Sequence, residues 1–187
     1  MKNIAIFASG NGSNALKIIE FFKNHPSIQV ALVVSNNADA GVLSIAKQHH
    51  IPTSIINKKN IIDSSYVLSL LHSYSIDFIA LAGFMILIPA YLSAAFTKKM
   101  VNIHPALLPQ YGGKGMYGHH VHEAVFANKE KESGITIHYV NEHYDEGQII
   151  FQASTSIENC QNAEEIAKSV LRLEHENYAR EIEKLLQ

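Results

Sequence analysis

Between Asn3 and Ile103 short apolar runs rich in Ile, Val and Phe alternate with longer stretches whose apolar positions recur every three or four residues. Runs that are apolar on both faces belong in a parallel sheet covered by helices, and this alternation builds β-α-β units. Strands are expected at Asn3 to Ala8, Gln29 to Ser35, Thr53 to Asn57, Asp77 to Ala82 and Met100 to Ile103. Helices are expected near Asn14 to Lys23, Gly41 to His49, Ser64 to Ser73 and Ala90 to Phe96. Right-handed crossovers then give a doubly wound, mostly parallel α/β sheet of Rossmann-like type. The spacing changes after Ile103, where Pro105, Pro109, Gly112, Gly113, Gly115 and Gly118 preclude a regular element and predict a long functional loop. A helical stretch, His122 to Lys129, follows it. Gly134 to Val140 and Gln148 to Ser156 are expected to pair as a hairpin across Asn141 to Gly147, with a final helix from about Ala163.

A chain of 187 residues with 47% hydrophobic and 17% charged side chains can bury one substantial core, so a single domain over 1–187 is expected. A net charge of -2 and only two arginines, Arg172 and Arg180, argue against a nucleic-acid partner. The lone Cys160 can form neither an internal disulfide nor a cysteine zinc site. The first strand begins too early for a signal segment, and no apolar run is long enough to span a bilayer. A soluble cytoplasmic protein without a membrane partner is the expectation.

Ser9-Gly10-Asn11-Gly12-Ser13-Asn14 joins the first strand to the first helix. Glycines there allow a tight turn and close approach of a ligand, and the helix N-terminus offers free N–H groups to an anion. A phosphate site results. Gly10, Gly12 and Ala15 also satisfy a loose dinucleotide fingerprint, but Ser35-Asn36-Asn37 stands where NAD binding wants an acid for the ribose. A ligand-free turn accounts for the same letters.

Asn102 and His104 lie two apart at a strand end, so both side chains leave one face and can converge on one ligand. An amide that donates to an oxyanion beside an imidazole that exchanges protons near neutrality suits acyl transfer. Asp145, in the turn Asn141 to Gly147, is placed to reach back and orient that ring. His119, His120 and His122 invite a metal, yet no neighbouring cysteine or suitably spaced carboxylate completes a ligand set, and none is expected. Leu81 to Pro89 breaks regular structure just after a strand, where open α/β sheets place ligands, and predicts an apolar wall for a flat ring.

Taken in order, Gly10-Asn11-Gly12-Ser13-Asn14, Leu81-Ala82-Gly83-Phe84-Met85, Asn102-Ile103-His104-Pro105 and Leu107-Leu108-Pro109 resemble the motifs of the glycinamide ribonucleotide formyltransferases, a folate-dependent family, over nearly the whole chain. The resemblance implies formyl transfer from 10-formyltetrahydrofolate, as co-substrate, to the amine of glycinamide ribonucleotide in purine biosynthesis. It implies Asn102, His104 and Asp145 as the catalytic trio, and Gly12, Ser13, Asn14 and Glu174 as nucleotide contacts. It places the folate against Met85, Ile86, Leu87, Ile88 and Asn102, and against Asn141, Glu142, His143, Tyr144 and Asp145. Residues to about 100 then form a nucleotide-phosphate half, and about 80–187 a folate and catalytic half. Ile86 and Ser65 stand where many members carry arginine. A tRNA formyltransferase would want a basic surface and a further C-terminal domain; a formyl-folate hydrolase or a non-catalytic folate or nucleotide-binding module remains as the alternative.

Overall fold

The computed structural model describes residues 1–187. The elements run β1 (Lys2–Phe7), α1 (Ser13–Phe22), β2 (Ile28–Ser35), α2 (Gly41–Gln48), β3 (Thr53–Ile55), α3 (Ser64–Ser73), β4 (Phe78–Leu81) and α4 (Ala90–Ala95). They continue with β5 (Met100–His104), α5 (His119–Ala127), β6 (Glu132–Tyr139), β7 (Ile149–Ser156) and α6 (Ala163–Leu186). The seven strands form one sheet in the order β3-β2-β1-β4-β5-β6-β7. Pairings from β3 through β5 are parallel, and β6 and β7 add antiparallel neighbours at the far side. Every expected element is present, and most ends fall within two residues of expectation. One end differs: α5 starts at His119, three residues before the expected His122, because the left-handed backbone at Gly118 releases the chain into the helix at once.

Apolar packing explains the two helical layers. Ile18 and Phe22 of α1, Val42 of α2 and Val170, Tyr178 and Ile182 of α6 cover one face of the sheet. Val67 and Leu71 of α3 and Leu92 of α4 cover the other. The last four residues of β1 and all of β4 are buried, as a strand covered on both faces requires. Asp63 caps α3 by accepting from the Tyr66 N–H at 3.0 Å, and Asn162 caps α6 from the Glu165 N–H at 3.0 Å. The α1 start is different: Gly12, at φ 81°, gives no side-chain cap, so its first-turn N–H groups stay available. Tyr178 donates its buried hydroxyl to the Leu81 carbonyl at 2.7 Å, which fixes α6 under the carboxyl end of β4. No helix is long and apolar enough to cross a membrane.

The strand order reverses between β1 and β4, and the crevice beyond the carboxyl ends of such strands is where open α/β sheets bind ligands. The loop after β5 is held beside this crevice by Thr136. Its buried hydroxyl accepts from the Leu108 N–H and from Gln152 Nε2, each at 2.9 Å, and donates to the Ala106 carbonyl at 2.7 Å. Thr136→Val should therefore deprive the buried Leu108 N–H and Ala106 carbonyl of this partner and cost about 2 kcal/mol. Urea unfolding checks this, through a lower midpoint at unchanged slope.

Candidate active site

A single cavity of about 610 Å³ opens at this crevice, and the elements expected to bind ligand converge on it. The Gly10 to Asn14 loop forms one end. A Cβ on Gly12 would sit 2.7 Å from Val42 Cβ, so both the positive φ and the close approach of α2 require glycine there. Ser9 Oγ accepts from the Met85 N–H at 2.8 Å, which ties this loop to the segment after β4. Ser13 and Asn14 line the same end.

Met85, Ile86, Leu87 and Ile88 line the cavity beside that loop, together with Val140, Asn141, His143 and Tyr144. Met85, Leu87 and Tyr144 are 55%, 40% and 40% exposed, an apolar mouth on a concave surface that suits a flat, largely apolar ligand. Glu142 stands apart from this wall, its carboxylate turned outward to His143 Nε2 at 3.6 Å. Ser65 lies exposed on α3 and takes no part in the cavity.

Asn102 and His104, at the end of β5, meet Asp145 from the distant turn between β6 and β7 in this cavity. Asp145 adopts a left-handed backbone (φ 56°) that turns its carboxylate back toward β5. One oxygen, Oδ2, lies 3.5 Å from His104 Nδ1 and accepts from the Gly113 N–H at 3.0 Å. The other, Oδ1, lies 3.5 Å from Asn102 Nδ2. His104 Nε2 is 2.7 Å from the Tyr111 carbonyl, which can only accept, so Nε2 carries the proton and the Nδ1 lone pair faces the carboxylate. Burial lowers the pKa of His104 and outweighs the opposing pull of Asp145 and of the Tyr111 carbonyl. Lowered from 6.5, the ring is accordingly neutral near pH 7. Asp145 shows the converse balance. Burial alone would raise its pKa, but His138, whose Nε2 lies 3.5 Å from Oδ1, the charge that His104 gains in acid and the Gly113 N–H together hold it below the ordinary carboxylate range.

His138 is the member of this cluster that inspection of the sequence missed. Antiparallel β5 and β6 place it directly opposite Asn102, and Thr136 opposite His104. Its Nδ1 donates to the Tyr139 carbonyl at 2.8 Å, which leaves Nε2 to accept from Asn102 Nδ2 at 3.2 Å. Asn102 is thereby oriented with its amide N–H groups toward the cluster. The available signal was the spacing of Thr136 and His138, two polar residues on one face of a strand otherwise rich in Ile.

At the glycine-loop end, Glu174 of α6 is buried and accepts from Asn14 Nδ2 at 2.7 Å. Burial raises its carboxyl pKa to about 7 against the lowering effect of that hydrogen bond. A raised folded-state value contributes stability that is present below the ordinary value near 4.5 and is lost as pH rises through about 7. Glu174→Gln should flatten the fall in thermal midpoint between pH 5 and pH 8, a difference on the order of 3 kcal/mol; scanning calorimetry at several pH values measures it. His119 and His120 lie near Glu123, whereas His122 is buried on the cavity side, so the three rings make no common ligand set.

The formyl transferase family model matches residues 2–182. The chain is 42% identical over 95% of its length to the chloroplastic phosphoribosylglycinamide formyltransferase of Arabidopsis thaliana, covering 63% of that protein. It thus spans about three fifths of this relative and of the one from Vigna unguiculata, of which it covers 61%. With the phosphoribosylglycinamide formyltransferase of Bacillus subtilis it shares 36% identity over 100% of this chain and 95% of that one. The crystal structure of the Bacillus halodurans phosphoribosylglycinamide formyltransferase superposes at TM-score 0.90 with 36% identity, covering 100% of this chain and 96% of that one. Matching motifs, matching fold and a match along nearly the full length leave one assignment: this chain belongs to the formyl transferase family, alongside its phosphoribosylglycinamide formyltransferases.

Proposed function

We propose that the chain moves the formyl group of 10-formyltetrahydrofolate to the amine of glycinamide ribonucleotide, giving the formylated nucleotide and tetrahydrofolate in purine biosynthesis. The observation that carries this reading is that Asn102, His104 and Asp145 share one cavity with a phosphate-type loop and an apolar wall. Such a cavity holds both reactants together, so much of the acceleration comes from proximity in a ternary complex. The N-terminal half, to about residue 100, supplies Gly12, Ser13 and Asn14 for the phosphate, with Glu174 reaching in from α6. The half from about 80 onward supplies the folate wall and the reacting groups.

In the reaction, the amine lone pair attacks the formyl carbon and the carbonyl electrons move onto oxygen. Asn102 donates to that developing oxyanion through the N–H that points toward Asp145, which is only weakly engaged at 3.5 Å, while His138 holds the other. His104, neutral at rest, takes the amine proton on Nδ1, and the imidazolium formed is stabilised by Asp145 on one side and the Tyr111 carbonyl on the other. Collapse of the tetrahedral species breaks the bond to the folate nitrogen, which takes the proton back from His104. The lone Cys160 supports placement in a reducing compartment, the cytoplasm.

The test is to mix the protein with 10-formyltetrahydrofolate and follow tetrahydrofolate release with and without glycinamide ribonucleotide. Release that requires the nucleotide, with formylated nucleotide as product, is the expected result. Release without it would make the chain a hydrolase, and no release a binding module.

A further inference from the structure

Among the residues lining the ligand cavity, Lys114 is the only lysine or arginine. It lies on the Gly112 to Gly118 segment, flanked by Gly113 at φ 94° and Gly115 at φ 91°, left-handed positions that favour glycine. One end of the segment is fixed to Asp145 through the Gly113 N–H, and the other enters α5 at Gly118. Gly118 shares a side recess of the cavity with Glu174, the residue that holds Asn14. The segment therefore runs from the reacting groups to the nucleotide-loop end. Lys17, Lys131 and Lys184 are paired with Glu20, Glu158 and Glu181, whereas Lys114 takes part in none of the ion pairs of the chain.

The nucleotide loop has the opposite deficiency. It offers N–H groups and no basic side chain from Gly10 to Asn14, and Asn14 has committed its amide to a buried carboxyl group. A phosphomonoester carries about −1.5 to −2 charges at pH 7. Seated beside Glu174 it needs more than backbone dipoles to offset the repulsion, and one permanent cation shares the cavity with it.

We propose that Lys114 is the specificity-determining cation for the phosphomonoester of the nucleotide substrate, brought to it from the glycine-flanked segment across the cavity. This rests on the reaction assigned above only in the identity of the nucleotide. The measurements are steady-state constants for wild type, Lys114→Ala and Lys114→Arg with glycinamide ribonucleotide and with its phosphate-free nucleoside, at low and high salt. A loss of about tenfold in affinity is expected for Lys114→Ala with the nucleotide, falling on KM rather than kcat. It should shrink in high salt, be absent with the nucleoside and be largely restored by Lys114→Arg. Equal losses with nucleotide and nucleoside would overturn the proposal. So would a rise confined to the folate KM, which would assign the cation to folate carboxylates. Calorimetric binding of ribose 5-phosphate to the same variants decides the point independently of turnover: weaker binding to Lys114→Ala supports the proposal, and unchanged binding refutes it, even if wild type transfers no formyl group.

Discussion

His104→Ala and Asp145→Asn each lower kcat by at least ~10²-fold while the fold survives, because both remove transition-state proton transfer and charge stabilisation. His104 lines the cavity with its Nδ1 lone pair toward the Asp145 carboxylate, so its loss removes the proposed base itself. Asp145→Asn keeps the shape of the side chain and its capacity to accept from Gly113, but it removes the charge that stabilises the imidazolium. Because the two act in one step, the double variant should be little worse than the poorer single one. The pH profile is a second check. His104 has a lowered pKa, so the base form persists below the ordinary imidazole value near 6.5 and the acidic limb of kcat should lie there. In Asp145→Asn that limb should shift to still lower pH, since an opposing charge that favours protonation is gone. Near-normal kcat in either purified variant removes that residue from the mechanism, and circular dichroism with thermal melting verifies the fold.

Gly147→Ala produces a large effect of another kind: a stability loss of about 3 kcal/mol together with slower turnover. Gly147 lies at the end of the turn between β6 and β7, where an added Cβ would overlap the Tyr139 carbonyl and stand 2.7 Å from the Tyr139 carbonyl carbon. The clash is with the Tyr139 backbone, which no side-chain rotation can relieve, so the hairpin itself must shift. The displaced carbonyl is the acceptor for His138 Nδ1, and His138 in turn orients Asn102. The disturbance therefore passes from a turn glycine to Asn102, the proposed oxyanion donor, through two hydrogen bonds. A misplacement of roughly 1 Å at a reacting group can cost ~10²-fold in rate. Gly10→Ala is the comparison for stability, because nothing lies within 4 Å of its added Cβ. Denaturant midpoints and kcat for the two variants separate the cases, and a Gly147→Ala protein as stable and active as wild type would refute the coupling.

Local periodicity was enough to place the parallel half of the sheet and its helices. A strand buried on both faces must be apolar throughout, and a helix against a sheet must repeat its apolar positions every three or four residues, so Ile4 to Phe7 and Ile18 to Phe22 declare themselves. The glycine loop and the pair Asn102 and His104 are legible for the same reason, since their spacing alone sets where side chains leave a turn or a strand. The start of α5 was not legible, because His119 and His120 have weak helical preference and only the backbone at Gly118 decides the entry. His138 became a site residue through strand register: opposing Asn102 depends on how β5 and β6 pair, and register is a property of two strands together. The meeting of Asn14 with Glu174, 160 residues apart, required α6 to pack beside α1 on one face of the sheet. The neutral state of His104 and the raised pKa of Glu174 likewise follow from burial, and burial depends on every segment that excludes water from a group.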